Sequence, residues 1–220
     1  TPCATGVVDY KSYADKIILF ATYVGAEPNQ AKIIIQNGTN NKYQLQNIDR
    51  TTDNKYLLDI ARFDGDWEFV VSSKVSNKIQ IYLNPLSKSK ANDTASIVPQ
   101  LSFALNSPEY VSFSDNARFI SGQSGKLFVV YDSEQKRVYR FEVPINITQT
   151  QQAKWMDGHR LTAVTDGKVQ VFEFDGGNLQ TLTTSLPSFT PYFDRDYQNL
   201  FTFITQADGK TALQDGQLEL

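Results

Sequence analysis

In 220 residues there is one cysteine, one histidine and one methionine. A lone cysteine, Cys3, cannot close an intrachain disulfide, so the chain is not a disulfide scaffold and its redox compartment stays open. Cys3 reads as a buried or free thiol near a terminus. A lone histidine excludes a multi-histidine metal site. His159 follows an Asp157-Gly158 turn and has no G-x-S-x-G elbow beside it, so it reads as a solvated turn residue. There is no P-loop and no G-x-G-x-x-G after a strand. The longest apolar stretch, Ile17 to Val24, is far shorter than the ~20 residues of a spanning helix. Basic blocks are also missing. Lys and Arg number 21 against 24 Asp and Glu, a net charge of −3, which argues against a nucleic-acid binder. No Met or leader-like segment opens the chain, so it reads as a processed product or a piece of something longer.

What is present is enough apolar material for a core, 40% of the residues, arranged with period two. Lys126-Leu127-Phe128-Val129-Val130-Tyr131, Val138 to Val143 and Lys168 to Phe174 alternate and are rich in β-branched and aromatic side chains, as strands are. Turn signals are dense: Asp64-Gly65, Ser124-Gly125, Asp157-Gly158, Asp166-Gly167, Asp175-Gly176 and Asp208-Gly209. No amphipathic helix competes with them.

Two landmarks repeat together. Lys32, Lys78, Lys126, Lys168 and Lys210 each open a strand, at steps of 46, 48, 42 and 42 residues. Upstream of each, an aromatic precedes an Asp-containing turn: Tyr13…Asp15, Phe63-Asp64-Gly65, Phe113…Asp115-Asn116, Trp155…Asp157-Gly158 and Phe193-Asp194. The third unit divides into strands at Tyr110–Phe113, Ala117–Gln123, Lys126–Asp132 and Arg137–Val143. A four-stranded meander of about 40–45 residues is a propeller blade. The expectation is one all-β domain over 1–220, a closed five-bladed β-propeller of four-stranded antiparallel blades. The blades fall near 6–48, 54–105, 108–145, 152–184 and 188–220.

The stretch Phe113-Ser114-Asp115-Asn116-Ala117-Arg118-Phe119-Ile120 resembles the F-S-x-D-G-x-x-I/L opening of WD40 and TolB-like propeller repeats, as does Tyr192 to Leu200. Trp155 to Leu161 with Phe174 to Leu179 is similar to the TolB-like propellers that follow PEGA domains in bacterial envelope proteins. No Trp-Asp dipeptide occurs and no Gly-His dipeptide opens a unit, which departs from a eukaryotic WD40 scaffold. The resemblance implies an extracytoplasmic or cell-surface interaction module, without a catalytic motif or cofactor. A membrane tether, if the chain has one, would lie in a segment before Thr1.

The residues five or six before each turn Asp are expected on the inner strands, around one channel. They are Asp9, Asp59, Glu109, Gln151 or Gln152, and Ser188 or Phe189. Three carboxylates at one height suggest an alternative, a carbohydrate-active hydrolase in which Asp9, Asp59 and Glu109 divide the base, donor and pKa-tuning roles. The same ring would suit a Ca²⁺ ion. Against both stands the plain reading that channel mouths are wet and hold carboxylates without further purpose. Tyr10, Phe63 and Tyr110 are either core or sugar platforms. Asp115-Asn116 and Asp194-Arg195-Asp196 read as turns whose Asp bonds its own backbone rather than as calcium loops. The irregular stretch Asn84–Val98 is expected to be a flexible insertion, with a binding loop as the alternative. Asn37-Gly38-Thr39, Asn92-Asp93-Thr94 and Asn146-Ile147-Thr148 match glycosylation sequons. The leading expectation is a non-enzymatic module that presents its loop faces to a protein or glycan partner. A lectin-like sugar binder with aromatics repeated on each blade is a further alternative.

Overall fold

The computed structural model describes residues 4–14, 16–93 and 95–218. Cys3, Asp15 and Thr94 lie outside the described residues.

The chain forms five consecutive antiparallel sheets. Sheet 1 holds β1 (Val7–Tyr13), β2 (Ile17–Thr22), β3 (Gln30–Asn37) and β4 (Asn41–Asp49). Sheet 2 holds β5 (Leu57–Phe63), β6 (Asp66–Ser72), β7 (Lys78–Leu83) and β8 (Leu101–Ala104), with a short helix, α1 (Pro85–Lys88), before its last strand. Sheet 3 holds β9 (Tyr110–Phe113), β10 (Phe119–Ser124), β11 (Leu127–Asp132) and β12 (Arg137–Glu142). Sheet 4 holds β13 (Lys154–Trp155), β14 (Arg160–Thr165), β15 (Lys168–Glu173) and β16 (Gln180–Thr184). Sheet 5 holds β17 (Tyr192–Phe193), β18 (Asn199–Thr205) and β19 (Thr211–Gln217).

Each sheet is a meander because its turns are short and of the right hand. Asp64 and Gly65 join β5 to β6 with φ of 46° and 86°, and Asp166 and Gly167 join β14 to β15 with φ of 50° and 71°. Two consecutive left-handed residues make the hairpin turn whose twist matches that of the strands, which is why Asp-Gly is found there. The five repeating lysines fall at or within two residues of the start of the third strand of every sheet.

The sheets stack face on face, and the alternation along β6 and β14 feeds two different layers. In β6, Phe69 and Val71 point back to sheet 1, where they meet Leu19, Ile33, Ile35 and Leu45. Val70 points forward with Ile79 and Ile81 to meet Ile120, Val129 and Tyr131 of sheet 3. Phe128 and Val143 then face Leu161, Ala163 and Phe172 of sheet 4. Val164 and Val169 face Leu200 of sheet 5. Burying a Leu, Ile or Phe side chain contributes about 1.5–3 kcal/mol, so these layers supply most of what holds the sheets together. A lone sheet has two apolar faces and cannot cover both, so stability comes through neighbours.

Two expectations need correction. The fifth sheet has three strands among the described residues, not four. The ring does not close. Five sheets in a closed ring share five interfaces, whereas the described residues form four core layers, all between successive sheets. Among the described residues no hydrogen bond between side chains, ion pair or aromatic pair joins sheet 5 to sheet 1. The expectation took five repeats of average length to exhaust the chain and form a circle. Chain length counts repeats but does not set the angle between them.

The described residues of the irregular stretch, 84–93 and 95–98, form a strap that docks on sheet 1. Asn92 N–H donates to Lys42 O at 2.6 Å, and Ile97 N–H donates to Gln44 O at 3.1 Å. Leu86, Ala91 and Ile97 pack on the layer between sheets 1 and 2. The strap thereby covers the outer edge of β4, whose backbone would otherwise stand open to a foreign strand.

Candidate functional site

Each of the three carboxylates singled out by register accepts from backbone N–H groups. Asp9 Oδ2 accepts from Tyr56 N–H at 2.7 Å and Oδ1 from Tyr10 N–H at 2.8 Å. Tyr56 belongs to the approach to β5, so this bond ties sheet 1 to sheet 2. Asp59 repeats the device one sheet on. Its Oδ2 accepts from Phe113 N–H of β9 at 3.1 Å and its Oδ1 from Ile60 N–H at 3.0 Å. Lys11 Nζ lies 3.1 Å from Asp59 Oδ1 and returns the link to sheet 1. Between sheets 3 and 4 a neutral side chain takes the part. Gln123, 2% exposed, accepts from Ala153 N–H at 2.9 Å and donates to Gln151 O at 2.8 Å. Glu109 stays within its own sheet, where Oε2 accepts from Gly125 N–H at 2.8 Å.

The physical reason is common to the three that reach the next sheet, Asp9, Asp59 and Gln123. The first strand of each sheet is an edge, so its outward amides lack a ladder partner. A buried amide without an acceptor costs about 1–3 kcal/mol. A carboxylate or amide oxygen from the preceding sheet removes that penalty and fixes the spacing of the sheets. Among the described residues no three His, Cys, Asp or Glu side chains are grouped so as to hold a metal ion.

The register positions of the last two units have a different fate. Gln151, Gln152, Ser188 and Phe189 line a cavity of about 370 Å³, together with Tyr110, Thr150, Lys154, Val164, Pro187, Thr190 and Pro191. It lies where the inner ends of sheets 3, 4 and 5 meet. Gln151 is held in place, donating to Val164 O at 3.1 Å and accepting from Thr148 N–H at 3.0 Å. Lys154 Nζ donates to Thr190 Oγ1 at 3.1 Å. Phe189 lies against Phe203 with ring centroids 4.3 Å apart. Tyr110 borders the cavity with its hydroxyl toward Gln149 O at 3.4 Å. Its pKa is raised by burial and by the nearby Glu109 charge, so it stays a neutral donor. The lining thus combines two aromatic rings, several amides and hydroxyls, one cation and no carboxylate.

The remaining landmarks are turn braces. Asp194 Oδ1 accepts from Gln198 and Asn199 N–H at 2.8 and 3.1 Å, as an Asp bonding its own turn does. In the third unit that part passes from Asp115 to Asn116, whose Oδ1 accepts from Arg118 N–H at 3.1 Å. Asp115 instead accepts from Tyr197 OH, at 3.3 Å, across to sheet 5. His159 is exposed and meets Phe119 edge-on, with centroids 5.6 Å apart. Tyr10 is 66% exposed and is not core.

Two buried groups were not visible from the motifs. Asp132, fully buried, receives Arg118 Nε and Nη2 at 3.0 and 2.7 Å and the N–H groups of Glu134 and Gln135. Burial opposes its charge, but the Arg118 bonds and the amides outweigh this and hold the carboxyl below the usual range. Among the described residues, Glu68 on β6 has one side-chain partner, Ser133 Oγ, which donates to it at 2.9 Å across the layer to sheet 3. Burial pushes its pKa up to about 7, although the Ser133 bond works in the other direction. The alternation Asp66-Trp67-Glu68-Phe69 puts Glu68 on the polar face with Asp66, and only Val70 on that same face signals that it is covered.

No protein-family model matches the chain, and no curated protein matches its sequence. Solved structures match its fold. Kluyveromyces lactis Hsv2 is 15% identical with a TM-score of 0.52, over 97% of this chain and 74% of that one. The extracellular domain of the putative hybrid two-component system BT3049 from B. thetaiotaomicron is 12% identical with a TM-score of 0.52, over 94% of this chain and 28% of that one. A putative 6-phosphogluconolactonase from Bacteroides uniformis is 11% identical with a TM-score of 0.50, over 94% and 70%. What this chain shares with all three is a fold, an all-β array of antiparallel sheets built as successive meanders.

Proposed function

We propose that the chain is a non-catalytic binding unit, built of β-propeller blades, that takes a glycan in the cavity between the inner ends of sheets 3, 4 and 5. The observation that carries this reading is the division of labour along the inner strands. Asp9 and Asp59 accept backbone amides of the following sheet, whereas Gln152, Ser188 and Phe189 at the corresponding positions line an open cavity. General acid–base chemistry needs a carboxyl group within reach of the reacting bond. The cavity lining offers none.

What it offers suits a sugar. The rings of Tyr110 and Phe189 present apolar faces to the C–H side of a pyranose, and Thr150, Gln152, Ser188 and Thr190 supply paired donors and acceptors. A volume of about 370 Å³ accommodates one or two sugar units. An extracytoplasmic setting is part of the same proposal. It is supported by the shared fold with a bacterial extracellular domain.

The test is a printed glycan array probed with the labelled chain, followed by calorimetry on the retained oligosaccharides. Phe189→Ala and Gln152→Ala are expected to weaken binding at least tenfold. Hydrolysis of a retained glycan, lost in Asp9→Asn or Asp59→Asn, would overturn the proposal in favour of an enzyme.

A further inference from the structure

The array ends in two sheet faces that no other sheet covers. On sheet 1 the face turned away from sheet 2 carries the cross-strand row Tyr10, Phe20 and Ile34. Phe20 is itself 3% exposed yet belongs to none of the four core layers, and Tyr10 beside it is the open member of the row. On sheet 5 the face turned away from sheet 4 carries Phe201 beside Tyr192, and Phe203 beside Leu213. Tyr10 and Tyr192 are each 66% exposed and Leu213 is 63% exposed, and they are the most solvent-accessible large apolar residues that lie within strands. The inner layers are built from rows of the same kind, such as Phe128 paired with Phe141 in sheet 3 and Phe69 paired with Tyr82 in sheet 2. Monomers rarely leave contiguous aromatic and aliphatic faces in water.

We infer that these two faces are seats for two further four-stranded antiparallel sheets of the same type, which close the five into a ring of about seven. Two observations select this occupant. The first is the open ring: five sheets share four core layers, and among the described residues no side-chain hydrogen bond, ion pair or aromatic pair joins sheet 5 to sheet 1. The second is the size of the remainder in the matched folds. The chain spans 74% of Hsv2 and 70% of the lactonase-like protein. By the same proportion each of those folds has roughly 75–90 residues beyond the matched part, close to two repeats of about 42. A second copy of this chain would bring five sheets to a gap sized for two. Closure by two sheets removes both open faces and protects the edges, which is what a ring does for this architecture.

The test labels tyrosines. The natural polypeptide that carries these residues is treated with N-acetylimidazole, and acetylation rates are read residue by residue by mass spectrometry, with its mass measured by light scattering. Tyr10 and Tyr192 are expected to react at least tenfold more slowly than N-acetyltyrosinamide, in a monomer. Rates within threefold of the free compound would overturn the inference. Protection that appears only with a doubling of mass would overturn it too, because the faces would then seat a second copy.

Discussion

Replacing Asp59 by alanine tests the amide latch between sheets most sharply. The carboxylate is 8% exposed and accepts from two backbone N–H groups, Ile60 at 3.0 Å and Phe113 at 3.1 Å. A hydrogen bond to a charged acceptor is worth about 1.5–3 kcal/mol, and an amide left unpaired carries its own desolvation penalty. Water entering at the sheet edge recovers part of this. The Lys11 contact adds little, because its side chain is half exposed and such pairs are worth about 0–1 kcal/mol. The expected loss is about 2–4 kcal/mol. At about 2–4 °C per kcal/mol for a chain of this size, the melting temperature should fall by roughly 4–16 °C. Asp59→Asn keeps one carbonyl acceptor and should lose about half as much. The assay is urea denaturation with amide hydrogen exchange read at Phe113. Exchange at Phe113 should rise in Asp59→Ala beyond the amount that global destabilisation explains. A change below 0.5 kcal/mol with unaltered exchange at Phe113 would refute the latch.

Three more outcomes follow from buried groups and close packing. Glu68 has a pKa raised to about 7 against an ordinary 4.5, so the folded state binds the extra proton and stability falls as pH rises from about 4.5 to 7. Glu68→Gln should therefore stabilise the protein at pH 8 by roughly 2–3 kcal/mol and flatten that pH window in thermal melts. Asp132 is the opposite case: its lowered pKa gives stability that is present above the ordinary carboxylate value and lost as pH falls through the folded one. Asp132→Asn should cost about 3–5 kcal/mol at pH 7, because Arg118 loses a buried partner. Gly122→Ala places a Cβ 1.8 Å from Ile79 Cδ1 in the layer between sheets 2 and 3, and should cost about 1–3 kcal/mol. Adding Ile79→Val should restore part of it.

Local features were legible in the sequence because they are local. Alternation with the turns at Asp115-Asn116 and Ser124-Gly125 places the third unit's strands to within two residues, from Tyr110–Phe113 through Arg137–Glu142. The lysine period located the third strand of each sheet. Register also located the inner-strand positions, but not what they do. Asp59 and Phe113 are 54 residues apart, and nothing in either segment says that one accepts from the other. The strap was read as an insertion because Ser, Lys and Asn dominate it. Leu86, Ala91 and Ile97, the residues that dock it, are too widely spaced to show a period. The ring failed for a different reason. Repeat number follows from sequence, but the angle between sheets follows from side-chain volumes in each layer, which no period records.

The most direct measurement of the central claim is one glycan titration run on five proteins: the unaltered chain, Phe189→Ala, Asp9→Asn, Asp59→Asn and Glu109→Gln. Each is checked for folding by circular dichroism, and the oligosaccharide is recovered afterwards for mass analysis. The account predicts an intact oligosaccharide throughout, binding lost at least tenfold in Phe189→Ala, and binding retained in whichever carboxylate variants remain folded. A shortened oligosaccharide from the unaltered chain, left intact by a folded carboxylate variant, would contradict it.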